Sequence, residues 1–112
     1  MKITGDQLKA IKRLVPGWTF SAPEGFLEYK TFRGGDWYLT THSMYCDYFL
    51  GELKRAVRAL PEVRCIKTSD GSRGFRITLY DGKPLVPIID ANNELEAWIL
   101  AVEELHGRLG NV

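Results

Sequence analysis

The sequence predicts one α+β domain over residues 1–112, with element order α-β-β-α-β-β-(β)-α. Its sheet is expected to be mainly antiparallel, of four to five strands, packed by helices on one face. Three observations lead there. Three stretches repeat apolar residues at helical spacing, each ended by Pro or Gly. Two pairs of β-type runs are each joined by a short Gly-bearing turn. The 112 residues are 45% hydrophobic and 26% charged, the balance of a single soluble domain rather than a rod or a disordered tail.

The first helix is expected over about Asp6–Val15. Thr4 and Gln7 have the spacing of a capping box. Leu8, Ile11, Leu14 and Val15 share a face, and Pro16-Gly17 stops it. A short strand at Trp18–Phe20 follows. Phe26–Phe32 and Trp37–Thr41 then flank Arg33-Gly34-Gly35-Asp36, where the glycines tolerate the positive φ of a tight reversal.

The second helix is expected over about Met44–Leu60, with Ser43 as its cap and Pro61 as its stop. Tyr45, Phe49, Leu53, Ala56 and Leu60 form its stripe. Val63–Thr68 and Phe75–Tyr80 predict a second hairpin. Here Cys65 alternates with Val63 and is expected on the core side with Phe75, Ile77 and Leu79. Leu85–Ile89 is a candidate fifth strand, kept at an edge by Pro84 and Pro87, which lack an amide donor. The third helix is expected over about Glu94–His106, with Asp90, Asn92 and Asn93 competing for its cap. Leu95, Trp98, Ile99, Val102 and Leu105 make its stripe.

Charge is distributed unevenly although the total is only +1. Residues 1–53 are neutral, residues 54–83 carry net +5, and residues 84–112 carry net −4. Such polarity can steer a charged partner, or the two segments can neutralise each other. No apolar run reaches the roughly 18–20 residues of a membrane span. Met1-Lys2-Ile3-Thr4-Gly5-Asp6 lacks the apolar core of a secretory leader, and two cysteines are too few for a disulfide scaffold. A cytoplasmic protein without membrane contact is therefore expected.

Chemistry-bearing motifs are sparse. His42 and Cys46 lie four apart at the start of the second helix, where a dipole and an imidazole could activate a thiol. That pair carries the reading of a cysteine-dependent enzyme. His42, Cys46, Cys65 and His106 lack the spacing of a zinc site, and no phosphate-binding glycine loop or nucleophile elbow occurs. No catalytic residues, metal or cofactor are expected.

Basic and aromatic side chains say more. Arg64, Arg76 and Tyr80 are expected on one open sheet face, with Arg73 in the turn and Lys54, Arg55 and Arg58 off the core stripe of the second helix. Trp37 and Tyr38 are consecutive on a strand, so they point to opposite faces. Aromatic and Arg side chains on an uncovered sheet are what interface cores favour. The expected function is a small non-enzymatic module that docks on a larger protein or nucleoprotein. Accessory proteins of phages or mobile elements, including inhibitors of host defence, are of this style. The first alternative is direct nucleic-acid binding through residues 54–83. A homodimer through a free strand edge is the parallel expectation.

Overall fold

A computed structural model of the chain describes residues 2–14, 27–30, 36–39 and 43–110. Side chains are described for all of these except Lys2, Leu8 and residues 27–30, 36–39, 43–49 and 109–110. The expected strand at Trp18–Phe20, the turn at 33–35 and His42 lie outside the described residues.

The chain is α+β, with three helices and antiparallel strand pairing throughout the described residues. In chain order the elements are β1 (Lys2–Ile3), α1 (Gly5–Leu14), β2 (Leu27–Lys30), β3 (Asp36–Leu39), α2 (Ser43–Ala59), β4 (Cys65–Gly71), β5 (Gly74–Tyr80), β6 (Ile89–Ala91) and α3 (Glu94–Gly110). The expected single sheet of four to five strands is not what forms. Among the described residues six strands divide into two three-stranded sheets, ordered β1-β3-β2 and β4-β5-β6. Lys2 and Ile3 pair with Tyr38 and Trp37 along the edge of β3 that β2 leaves free. A two-residue strand at the chain start carries too little pattern to be read, yet it closes that edge. The second hairpin then pairs with β6 instead.

Helix boundaries follow local chemistry. At α1 both halves of the capping box form: the Thr4 amide donates to Gln7 Oε1 and the Gln7 amide to Thr4 Oγ1, each at 3.1 Å. Thr4→Ala should therefore lower stability by about 1 kcal/mol, read as a shift in the urea midpoint at unchanged slope. At α3 the competition for the cap is won by Asn93, whose Oδ1 accepts from the Glu96 amide at 2.8 Å. Gly107 and Gly110 are both candidate stops for this helix in the sequence; α3 passes Gly107 and ends at Gly110, four residues beyond the expected His106.

Helix α3 is the centre of the molecule. It packs against α1, α2, β5 and β6. Ala97, Trp98, Ile99, Ala101, Val102 and Leu105 are all buried, which covers more than one face of the helix. Ile3, Ala10 and Ile11 join this core from the N-terminal side, and Leu53 and Val57 join it from α2. From the second sheet come Phe75, Ile77, Leu79 and Ile89. The segment between β5 and β6 adds Leu85 and Val86. Strand six is shorter and later than expected, and Pro84 and Pro87 lie before it. Leu85 is held by its amide donating to the Leu79 carbonyl at 2.8 Å.

Candidate interaction surface

The second hairpin is tighter than the sequence suggests. Its strands extend to Gly71 opposite Gly74, so only Ser72 and Arg73 make the reversal. The register fixes every face. Cys65 opposes Tyr80, Lys67 opposes Thr78, Ser69 opposes Arg76, and Arg76 opposes Asp90 on β6. Directly opposed residues share a face. Phe75, Ile77 and Leu79 point into the core, so Cys65, Lys67, Ser69, Arg76, Thr78, Tyr80 and Asp90 occupy the outer face. This face is open: Cys65, Lys67, Ser69, Arg76 and Asp90 are exposed, and Thr78 and Tyr80 are half-buried.

Cys65 is therefore not a core residue. Alternation counted from Val63 fails because Val63 belongs to the turn after α2, its amide bonded to the Leu60 carbonyl, and the strand begins only at Cys65. Ile66 is the side chain that faces inward, half-buried against the core. Arg64 is likewise corrected. It precedes β4, its amide donates to the Tyr80 carbonyl at 2.9 Å, and its guanidinium lies 3.0 Å from Asp81 rather than beside Arg76.

Ion pairing changes the electrostatic picture. Arg76 Nε donates to Asp90 Oδ1 at 2.7 Å, with a second, longer contact from Nη2 to Oδ2 at 3.4 Å. The hydrogen bond to Asp90, and after it the carboxylate charge, raise the Arg76 pKa above its ordinary value. Arg55 pairs with Glu52 at 2.7 Å along α2. Lys54 Nζ lies 2.8 Å from Glu94 Oε2, the atom that also accepts from Trp98 Nε1 at 3.3 Å. Lys54 thus ties α2 to the first turn of α3. Four of the expected partner-binding cations are already matched by carboxylates, two of them (Asp90 and Glu94) from the acidic C-terminal segment. Arg58, Lys67, Arg73 and Lys83 have no acidic partner among the described residues. Lys67 instead sits over the Tyr80 ring, 5.4 Å from its centroid.

The residues expected to bind therefore separate. Arg76 and Tyr80 share the outer face, Arg73 stands at the hairpin tip, and Lys54, Arg55 and Arg58 belong to α2. Trp37 and Tyr38 lie on β3, in the other sheet; only their backbone pairing is described. Cys46 is placed on α2 by its backbone alone, and with His42 outside the described residues the proposed thiol pair has no geometry here.

Two concavities occur among the described residues, one of them beside this face. One of about 280 Å³ lies at the hairpin tip, lined by residues that include Ser72, Arg73, Arg76 and Asp90. A larger groove of about 700 Å³ lies where the start of α1 meets the end of α3, floored by Leu85, Val86 and Pro87. Asp6, Lys9, Glu103, Glu104, His106 and Arg108 rim it. Sequence reading missed this groove because its walls are more than 75 residues apart in the chain. Among the described residues no group of three or more His, Cys, Asp or Glu could hold a metal ion, and no helix is long and apolar enough to cross a membrane. No family model, curated protein or solved structure matches the chain.

Proposed function

We propose that this chain is a small non-enzymatic binding module that docks on a larger protein through its β4-β5-β6 sheet. The observation that carries this reading is the open outer face, where Cys65, Lys67, Ser69, Arg76, Thr78 and Tyr80 stand on a rigid sheet backed by the core. Lys67 over Tyr80 offers a cation and a ring together, a combination that suits an interface centre. Direct nucleic-acid binding draws less support, because four basic groups of residues 54–83 already face carboxylates.

The test is binding of the purified full-length chain to its captured and reconstituted partner. Lys67→Glu and Tyr80→Ala should each weaken binding at least about tenfold, as expected for anchors near an interface centre. Both residues lie on the outer face, so unfolding temperature should change little. Affinity should vary only weakly between 50 and 200 mM salt. A loss on the order of several hundredfold over that range, abolished by nuclease, would instead assign a contact to about five phosphates.

A further inference from the structure

We infer that strand β4 is an acceptor edge: the partner adds an extended segment alongside it, carrying an acidic residue flanked by apolar ones. This rests on the docking reading above and specifies its mode. β4 is seven residues long, about 23 Å of strand. In its sheet it is terminal, pairing with β5 on one side only among the described residues. All of its residues but Ile66 are exposed. Alternate N–H and C=O groups along its outer side therefore have no strand partner among the described residues, the feature that β-strand addition uses. The other edge of this sheet, β6, is three residues long and offers much less.

Side chains on β4 say what the added strand should carry. On the outer face, Lys67 is a cation without a carboxylate among the described residues. An acidic residue placed directly opposite it would supply one. On the inner face, Ile66 is only half-buried at the border of the core, as are Leu60 and Val63. An apolar side chain opposite Ile66 would complete that border. Lys67 and Ile66 are neighbours, so the acidic and apolar positions of the incoming strand are neighbours too.

A second copy of this chain meets these demands poorly. Two β4 strands pairing about a twofold axis keep their sheet faces only if opposed residues are an even number apart. Three registers overlap the strands by five residues or more. One sets Lys67 against Lys67. The next sets Ser69 against Lys67 and Asp70 against Ile66. The third sets Lys67 against Gly71 and Ile66 against Ser72 of the turn. None supplies both a carboxylate to Lys67 and an apolar group to Ile66. A lysine on an edge strand also discourages self-pairing.

The test uses the isotope-labelled full-length chain and a synthetic capped peptide, Lys-Thr-Val-Glu-Val-Thr-Ser, followed by amide shifts in NMR. Binding should shift β4 amides, and the peptide with Glu replaced by Lys should bind two- to fivefold more weakly. The protein variant Lys67→Glu should reverse that preference. Two further peptides, N-methylated at the Glu or at the following Val, report the ladder itself. Adjacent amides of a strand point to opposite sides, so one methyl group should abolish binding and the other leave it intact. Equal binding of the two methylated peptides, or shifts confined to β5 and β6, would overturn strand addition. So would a concentration-dependent dimer that protects β4 amides. Retention of the partner by Lys67→Glu and Tyr80→Ala would instead remove the docking reading, and that result is independent of the peptide measurements.

Discussion

Trp98→Ala should lower the free energy of unfolding by about 3–5 kcal/mol, the range for emptying a large buried aromatic site. Trp98 is 1% exposed and is the largest fully buried side chain among the described residues. It stands on α3, the helix that touches α1, α2 and two strands of the second sheet, so the cavity opens in the helix on which the described core is assembled. A domain of this class holds about 5–15 kcal/mol in total, so the loss is a large fraction of its stability. Thermal denaturation followed by circular dichroism should move down by on the order of 15–30 °C. The variant also removes the Nε1 donor from Glu94 Oε2, but Lys54 still holds that carboxylate at 2.8 Å. Trp98→Phe keeps a buried aromatic ring and loses the smaller ring of the indole together with its Nε1 donor. It should cost much less than the alanine variant. A loss under about 1 kcal/mol for alanine would show that α3 is not enclosed as described.

Gly74→Ala should cost about 2–4 kcal/mol, combining backbone strain with a steric conflict that no side-chain rotation relieves. Gly74 has φ +119°, a conformation that L side chains rarely adopt. A Cβ at this position would also stand 2.2 Å from the Ala91 carbonyl oxygen, a backbone atom of β6. Accommodating it means moving β6 off β5, at the pairing of Phe75 with Ala91. The damage should be local as well as global: backbone amides at the β5–β6 junction should exchange with solvent faster than those of α3. Gly71→Ala, directly across the hairpin, is the control. Its Cβ meets nothing within 4 Å, and it should cost less than about 1 kcal/mol. Equal effects at the two glycines would refute the close approach of Ala91.

These variants also show which features could be read from residues alone. The buried stripe of α3, including Trp98, Ile99, Val102 and Leu105, is written in helical spacing, because a helix of about four turns repeats its signal several times. The capping box of α1 is equally legible, since both partners lie within four residues. Gly74 is different. Its sequence neighbours suggest only a turn, whereas its constraint comes from Ala91, seventeen residues later.

The candidate site divides in the same way. Alternation placed Arg76 and Tyr80 together on one face of β5, and the pairing register agrees. It misplaced Cys65 and Arg64 because strand parity depends on where pairing begins, and β4 begins at Cys65. The carboxylates that meet Arg64 and Arg76, and the one that meets Lys54, come from residues 14 to 40 positions away. Net charge by segment cannot show which cations they neutralise.

What the sequence determined by itself is the α+β class, the three helices and the two hairpins, because each rests on periodicity and turn chemistry within a few residues. Tertiary structure alone decided that the described strands form two sheets, that β4 is terminal in its sheet, and which cations lack a carboxylate among the described residues. Those outcomes depend on pairings between residues far apart in the chain. Local pattern holds no information about them.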